Sequence, residues 1–425
     1  MPGKFGNDIT VTKRDLLDAR NYTPLDETSI RYDGWRIVAV CFLLATFGWA
    51  FGFYGQSVYV AELQRLHGWP ASLISGAASA YYLLSAALVV FIGDAVARLG
   101  PRRVVLTGAA CMGSAVALLA FIMAPWQLFA AYLLLATGAA AMHTGAITTI
   151  VGLWFDRQRG LAISLALNGA SFGGILVTPA LVLAIEAVGF QAAMVGAAAI
   201  MAIMVLPAVS VWIDRPPAPG DARPQMSPQD RPAAEWTRAM ALHSAAFWSV
   251  AGPFAVALMA QIGFIVHQIA FLAPAMGRPR AGLAVGVMTV KAVVGRIVLG
   301  PFIARLDARR VTALSVASQA GALFVMTQTT DVAVLFIACA VFGLTVGNLI
   351  TLPAIVIQRE FDAASFGLLV GLSTAIGQFT CVVGPGLLGV LRDLTGGYGA
   401  SLALCMALEI SAAAVILYLK PTDFR

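Results

Sequence analysis

Long apolar runs separated by short polar segments fill the chain from residue 34 onwards. Because an α-helix rises 1.5 Å per residue, about 20 mostly apolar residues are enough to cross the hydrocarbon core of a bilayer. Twelve runs reach this length, and they lie at 35–61, 71–96, 104–124, 126–150, 160–187, 192–212, 244–273, 281–304, 311–328, 332–357, 365–391 and 400–419. The pattern predicts an all-α membrane protein with twelve transmembrane helices.

Composition agrees with a lipid environment and excludes several other classes. Hydrophobic residues make up 60% of the chain and charged residues 11%, whereas about a quarter of a soluble protein is charged. The formal net charge of +6 does not indicate nucleic acid, because the positive residues fall in short loops between apolar runs. The five cysteines are irregularly spaced inside apolar runs, without a CxxC pair or a metal-ligand pattern. We therefore expect no cofactor and no metal.

The distribution of Lys and Arg predicts the orientation in the membrane. With the N-terminus inside, four of the 27 Lys and Arg residues fall outside and two fall within the membrane, which leaves 21 in cytoplasmic segments. Such an excess on one side is what the positive-inside rule describes. We expect a multi-pass protein of a bacterial-type inner membrane, with both termini in the cytoplasm, that functions as a monomer.

A sharp change in composition separates two groups of six helices. Residues 214–236 contain six prolines and charges of both signs, which is typical of a flexible, solvated linker. The predicted organisation is a cytoplasmic tail at 1–33, a six-helix bundle at 34–212, a linker at 213–243, a second six-helix bundle at 244–420 and a cytoplasmic C-terminus at 421–425.

Two basic segments indicate that the halves are repeats of each other. Gly93–Val104 reads GDAVARLGPRRV and Gly300–Val311 reads GPFIARLDARRV, with seven of twelve positions identical at an offset of 207 residues. Parallel repeats of this kind build the alternating-access cavity of secondary transporters. We expect the halves to rock about that cavity while the basic segments gate its cytoplasmic mouth. The gating residues are then Arg98, Arg102, Arg103, Arg305, Arg309 and Arg310.

The same segments resemble the signature of the major facilitator superfamily, a glycine followed by Asp-Arg-x-Gly-x-Arg-Arg between helices 2 and 3. The aspartate of that signature corresponds to Ala97 here and to Ala304 in the second copy. Asp94 lies one helical turn earlier, and at this spacing we expect it to replace the missing aspartate in the gate. The resemblance implies two pseudo-symmetric six-helix halves, which is the major facilitator fold.

Two further stretches resemble one branch of this superfamily, the monocarboxylate transporters and oxalate–formate antiporters. They are Asp33–Trp35 at the start of helix 1 and Trp154–Ala162 at the start of helix 5, which continues to Gly169, Gly173 and Gly174. The glycines predict the close approach of a neighbouring backbone. The branch implies a small carboxylate as substrate, with a co-transported proton.

Ionisable residues inside a membrane cost about 2.5–3.5 kcal/mol on insertion scales, and they are therefore functional candidates. Helix 8 carries Lys291 and Arg296, which are five residues and so about 140° apart around the helix. Arg296 matches an arginine that meets the substrate carboxylate in the resembled branch, and guanidinium geometry suits carboxylate binding. The alternative is an arginine satisfied by carbonyls or by a polar group of helix 10.

Two residues are coupling candidates. Lys291 is expected nearer the outer end of helix 8, where it either snorkels to the interface or takes part in coupling. Glu409 in helix 12 is either a proton site or a structural residue.

Departures from the branch leave the substrate open. An aspartate one turn before the helix 8 arginine and a lysine at the outer end of helix 1 are replaced by Ala292 and Ala61, and helix 11 lacks the lysine of the oxalate–formate antiporters. The helices carry instead aromatic and uncharged polar residues suited to stacking a planar ligand and hydrogen-bonding its edge. The substrate-binding candidates beside Arg296 are Tyr54, Gln56, Tyr82, His143, His267 and Asn348.

The sequence indicates transport and not catalysis. It holds no nucleophile–base pair, paired acids or metal cluster of an intramembrane enzyme, and no G-x-x-x-x-G-K-[ST] loop for ATP. A channel or a receptor on the same fold stays an alternative without a supporting motif. We expect a secondary active transporter that moves a small, monocarboxylate-like organic anion by alternating access. The alternative substrate is a larger planar, weakly charged metabolite such as riboflavin or a related vitamin.

Overall fold

The computed structural model describes residues 27, 29, 32–155, 157–213, 236–303, 305–362 and 364–419. Most of the predicted tail and linker, the whole of the predicted C-terminus and Ala304 lie outside these described residues. Twelve helices in the described part are long and apolar enough to cross a membrane, which confirms the predicted number. They are α1 (Gly34–His67), α2 (Ala71–Leu99), α3 (Pro101–Leu119), α4 (Pro125–Gly152), α5 (Arg159–Val188), α6 (Phe190–Trp212), α7 (Ala245–Met276), α8 (Arg278–Leu299, helical to Ile303), α9 (Ala308–Gln328), α10 (Val332–Glu360), α11 (Phe366–Thr395) and α12 (Gly399–Tyr418).

The largest difference from the predicted limits is at the end of α1. The helix continues for six residues beyond the apolar run, to His67, and ends at Gly68 in a left-handed conformation with φ of 66°. Glycine adopts that conformation without steric cost, so it is a common helix terminator. The additional turns carry Glu62 and Arg65 out of the apolar part of the helix.

Helix packing repeats between the first six and the last six helices. In the first set α1 packs on α5, α2 on α4, and α3 on both α4 and α6. In the second set α7 packs on α11, α8 on α10, and α9 on both α10 and α12. Each pair recurs six helices later, as expected for parallel repeats. A side chain at Gly169 or Gly173 would collide with the backbone of α1, so these glycines allow the predicted close approach of α5.

The two sets of helices meet mainly at one side of the membrane region. The segments involved are Gly55–His67 of α1, Thr178–Val188 of α5 and Val383–Thr395 of α11, which pack on α7, α8 and α2 respectively. All three lie opposite the two basic segments. We call the side where α1 and α7 begin, which carries the basic segments, the basic face, and the other side the opposite face. The bundle closes at the opposite face, and contacts between the halves become sparse towards the basic face.

Candidate functional site

Four interruptions of regular α-helix lie inside the membrane region. Helix α1 contains a π-helical turn at Ala50–Tyr54 and α5 another at Gly173–Val177, and the two turns contact each other. Helix α4 is interrupted at His143, whose backbone is extended (φ −92°, ψ −171°), and α10 at Gly347. π-Turns and broken membrane helices are frequent at functional sites, since they free backbone groups that regular helix would use. The interruptions therefore mark the candidate site.

Arg296 lies at the junction of the two halves. Its side chain packs over Gly347, where an added Cβ would stand 2.7 Å from Nε. Nη2 lies 3.4 Å from the hydroxyl oxygen of Ser171 on α5, and Nε lies 3.4 Å from the carbonyl oxygen of Ala292. Within the described part of the chain, Arg296 forms no ion pair. The guanidinium is thus positioned, with donors left over for an anion.

Tyr54, the last residue of the α1 π-turn, joins this group. Its ring lies against Gly174 of α5, where an added Cβ would be 2.6 Å from the ring and 2.7 Å from the Thr289 hydroxyl of α8. Tyr54 interacts with Thr289 and is close enough to Arg296 to be affected by its charge. The missing side chain at Gly174 therefore lets residues of both halves meet here.

Asn348 follows the interruption of α10 directly. It is buried, and its Oδ1 atom has no hydrogen-bond partner among the residues that the structure describes. Because Arg296 packs on the preceding Gly347, the structure brings three of the predicted binding residues together, namely Tyr54, Arg296 and Asn348.

A second polar group lies between α1, α2 and α4. The His143 ring stacks on Trp49 with centroids 4.2 Å apart, and Gly52 leaves room for it, since an added Cβ would be 3.3 Å from the ring. Buried polar atoms without a partner cost about 1–3 kcal/mol each, so they favour a polar ligand. Among described residues, such atoms here are Oε1 of Gln56, Nε2 of His143 and the hydroxyls of Tyr59, Tyr82 and Tyr132. We call these five residues and Trp49 the aromatic cluster.

His267 is fully engaged elsewhere. Nδ1 lies 3.1 Å from the Tyr398 hydroxyl and Nε2 lies 3.0 Å from the carbonyl oxygen of Pro385, while the side chain is 1% exposed. These partners belong to α11 and to the loop before α12, near the opposite face. The structure therefore makes His267 a brace within the last six helices and does not bring it to Arg296.

Lys291 and Arg296 lie on different sides of α8, as their spacing predicts. Arg296 faces the groups just described, whereas Lys291 lines a groove on the surface of the bundle together with Leu283 and Val290. The predicted depth of Lys291 is wrong. Because the polar first turn of α8 is helical too, the helix runs over Arg278–Ile303, and Lys291 stands at its middle and not near its outer end.

Glu409 of α12 is completely buried, and neither of its carboxylate oxygens has a hydrogen-bond partner among the described residues. Helix α12 packs on α7 and α9, and Cys405, one turn from Glu409, lies 3.6 Å from the carbonyl oxygen of Ala260. The carboxyl group is therefore inside the second half, away from the junction that holds Arg296. Its role in coupling stays a prediction.

Arg309 is the most constrained of the predicted gating residues. Its guanidinium donates to both carboxylate oxygens of Glu360 at 2.5 and 2.8 Å and to the Ser249 hydroxyl at 2.9 Å. It also donates to the carbonyl oxygens of Ile416 and Leu419 at the end of α12. All these partners belong to the last six helices, so in this conformation Arg309 braces the second half.

The remaining gating candidates lie at the surface of the basic face. Arg310 pairs with Asp307 at 3.6 Å, and Asp307 also caps the N-terminus of α9. Asp94 forms no ion pair within the described residues, so its predicted role stays untested. The exposed candidates are Asp94, Arg98, Arg103, Arg305 and Arg310, and Arg102 is half-buried.

Sequence reasoning missed the contacts that hold the opposite face closed. Arg278, at the start of α8, lies 3.0 Å from Glu62 of α1 and 2.8 Å from Glu186 of α5. Glu62 also pairs with Arg65 at 2.9 Å. These four residues form the opposite-face cluster, in which one arginine of the second half holds two acids of the first. Nothing in their sequence positions signals the pairing.

A helix cap adds a second contact across the halves. The carboxylate of Asp393, in the last turn of α11, accepts hydrogen bonds from the backbone amides of Ala71 and Ser72 at 3.0 and 2.7 Å. These amides open α2, where the helix dipole favours a negative charge. The Ser79 hydroxyl accepts a further bond from the amide of Gly386 at 3.1 Å. In the described residues, no group of three His, Cys, Asp or Glu side chains is placed to bind a metal ion.

Comparison with known proteins agrees with this architecture. The model of the Major Facilitator Superfamily matches residues 39–385. The MFS-type transporter pynF of Aspergillus niger is 30% identical over 212 residues, which is 48% of this chain and 47% of that protein. MFS-type transporter 1 of Ophiocordyceps sp. is 29% identical over 219 residues, or 48% and 46% of the two chains. The chain thus spans about half the length of these relatives.

Solved structures show the same fold. Two crystal structures of the nucleoside transporter NupG superpose with TM-scores of 0.74 and 0.70, covering 91% of this chain and 99% and 97% of theirs, at 11% and 12% sequence identity. At such identities the likeness concerns the fold alone. The family match across most of the chain, the twelve helices and their repeated packing lead to one conclusion, that this chain belongs to the Major Facilitator Superfamily.

Proposed function

We propose that the protein is a secondary active transporter that moves a small organic anion of the monocarboxylate type by alternating access. The observation that supports this most is the placement of Arg296 between the halves, held by Ser171 and Gly347 and without an ion pair in the described residues. A carboxylate accepts two parallel hydrogen bonds from a guanidinium, so it is the anion that suits this group best. A charge at this depth is functional by default.

The conformation supports a binding step from the basic face. Since the halves are packed together at the opposite face, a substrate reaches Arg296 from the side of the basic segments. By the positive-inside rule that side is the cytoplasm, which corresponds to a bacterial-type inner membrane protein with both termini inside. In the alternate state, we propose that the basic segments close this entrance through Arg98, Arg102, Arg103, Arg305, Arg309 and Arg310, with Asp94.

A proton is the proposed coupling ion. Glu409 is a carboxyl group buried in the membrane region without a partner in the described residues, so the neutral, protonated form is favoured there. Lys291, the other candidate, faces the surface of the bundle. The proposal therefore assigns proton binding to Glu409.

The aromatic cluster supports a second candidate substrate, a planar and weakly charged metabolite such as riboflavin. Its unpaired hydroxyls and the stacked pair of Trp49 and His143 offer hydrogen-bonding atoms and a flat apolar surface. Such a combination suits a heteroaromatic ring that carries polar groups on its edge.

Uptake into liposomes containing the purified protein tests both candidates. Labelled lactate, riboflavin and uridine, a nucleoside like the substrates named for the structural neighbours, are compared with and without a protonophore. Lactate uptake abolished by the protonophore supports the first candidate, and riboflavin uptake without lactate uptake supports the second. If no labelled compound enters, neither substrate proposal stands.

Variants of Arg296 test the anchor. Arg296→Ala should lower carboxylate uptake by at least about a hundredfold, since a charged hydrogen-bonded partner is lost, and Arg296→Lys should recover part of it. Arg280→Ala removes an exposed arginine of the same helix and serves as the control. Equal uptake by Arg296→Ala and the unchanged protein would remove Arg296 from the site.

The gate is tested by cross-linking. A short bifunctional reagent that joins Arg103→Cys to Arg310→Cys, both exposed on the basic face, should stop transport. Full flux in the cross-linked protein would contradict the gating role.

A further inference from the structure

A groove of about 470 Å³ runs along the outer surface where the two halves meet. Its walls come from α5 of the first half and from α8 and α10 of the second. The single charged side chain in it is that of Lys291. The apolar lining consists of Ile175, Pro179, Leu283, Gly286, Val287, Val290 and Phe336.

The groove faces the lipid. Leu283, Val290, Val294 and Ile297 are exposed and recur every three or four residues, so they form one apolar stripe along α8. In a membrane helix such a stripe contacts acyl chains. Lys291 is next to Val290 at the edge of this stripe, about 140° around the helix from Arg296. The groove is therefore separate from the site of the proposed transport function.

Lys291 lies too deep for its charge to reach the headgroups. Thirteen residues separate it from Arg278 and twelve from Ile303, so it lies roughly 20 Å along the helix from its outer end. Half of the hydrocarbon core is about 15 Å thick, whereas a lysine side chain spans roughly 6 Å. The described residues supply no hydrogen bond or ion pair to its ammonium group. A cation at this position is stabilised when an anion accompanies it into the groove.

We propose that the groove beside Lys291 binds a single-chain amphiphile with a carboxylate head, taken up from the membrane. The ammonium group pairs with the carboxylate, and the tail lies along Leu283, Val287 and Phe336. A phospholipid does not fit this position, because its headgroup stays at the interface. The volume is in the range of sites for small molecules. Since the walls belong to both halves, an occupant stabilises the packing of α5 on α8 described above.

Photolabelling in nanodiscs tests the site with the full chain. The probe is a long-chain fatty acid with a diazirine midway along its tail, and the labelled peptides are identified by mass spectrometry. We expect labelling of the α8 and α10 peptides, and a loss of about tenfold in Lys291→Gln because the charge-assisted pair is gone. Arg280→Gln, which removes an exposed charge of the same helix, should label like the unchanged protein.

Further arms separate the outcomes. Lys291→Arg keeps a positive charge and should keep the labelling, which also covers the case in which Lys291→Gln fails to fold. The methyl ester of the probe should label weakly. Equal labelling by the ester, or by a folded Lys291→Gln, would overturn the proposal and leave an unspecific acyl-chain contact. Competition by phosphatidylglycerol but not by free fatty acid would overturn the assigned ligand class.

Discussion

Removal of the Arg278 guanidinium is expected to open the opposite face. Arg278 holds Glu62 and Glu186, so Arg278→Gln breaks both ion pairs across the halves at once. It also leaves two acids of the first half without their shared counter-ion, although Glu62 keeps Arg65. The states with the opposite face closed and open should therefore change in population.

The magnitude follows from the exposure of the pairs. A hydrogen bond to a buried charged group contributes about 1.5–3 kcal/mol, and an exposed ion pair about 0.2–1 kcal/mol. The side chain of Glu62 is 5% exposed, whereas those of Arg278 and Glu186 are 29% and 33% exposed. The first pair thus lies towards the buried limit and the second towards the exposed limit. Together they favour the closed opposite face by about 2 kcal/mol, or about thirtyfold in population.

Pulsed electron–electron resonance measures this shift. Spin labels at Leu66→Cys on α1 and Leu394→Cys on α11 report the separation of the halves at the opposite face, because both residues are exposed. The five native cysteines are first replaced by alanine. In Arg278→Gln the long-distance population should rise about thirtyfold relative to the short one, within the limits of detection. Arg280→Gln, with an exposed arginine two residues away, is the control. Identical distance distributions for Arg278→Gln and the control would refute the role of the cluster.

Two substitutions probe the packing. Gly174→Ala places a Cβ 2.6 Å from the Tyr54 ring and 2.7 Å from the Thr289 hydroxyl, so it should disfavour this conformation by about 1–3 kcal/mol, read with the same spin labels; Gly196→Ala, which meets nothing within 4 Å, should change nothing, and equal behaviour of the two would contradict the close contact. Glu360→Ala leaves Arg309 buried without its carboxylate and should lower the free energy of unfolding by about 3–5 kcal/mol in thermal melts, whereas a loss below about 1 kcal/mol would show that the brace contributes little.

The number of helices and the repeat were predictable because both depend on local sequence. A span is recorded in its own apolar residues, and the repeated basic segments are identical at seven of twelve positions. The glycine motif of α5 was informative for the same reason. At Gly169 the missing side chain predicts a close neighbour, and the structure supplies it in the backbone of α1. What such a motif does not state is which helix approaches.

The candidate site was only partly predictable, because its members come from separate helices. Five residues between Lys291 and Arg296 define their angle, so their separation onto two sides of α8 followed from helix geometry. His267 shows the opposite case. A histidine in an apolar run marks an unusual residue, but only the tertiary structure shows that Tyr398 and Pro385 occupy both of its ring nitrogens. The π-turns of α1 and α5 and the unpaired tyrosine hydroxyls likewise depend on neighbours distant in sequence.

The two faces of the bundle hold their arginines in different ways, and this difference bears on how a substrate drives the cycle. On the basic face Arg309 is bonded entirely within the second half, so its contacts do not need to break when the halves move. On the opposite face Arg278 is bonded across the halves, so Glu62 and Glu186 must be released before that side opens.

Arg296 lies between these two arrangements. It rests on Gly347 of its own half and reaches Ser171 of the other at 3.4 Å, a long and weak contact. An anion bound there gives the two halves a common charged partner in place of this weak hydrogen bond. A ligand shifts a conformational equilibrium only by its difference in affinity for the two states. In the proposed mechanism, binding at Arg296 must therefore supply the roughly 2 kcal/mol that the opposite-face cluster withholds, and a substrate without a negative charge would need to obtain it from the aromatic cluster.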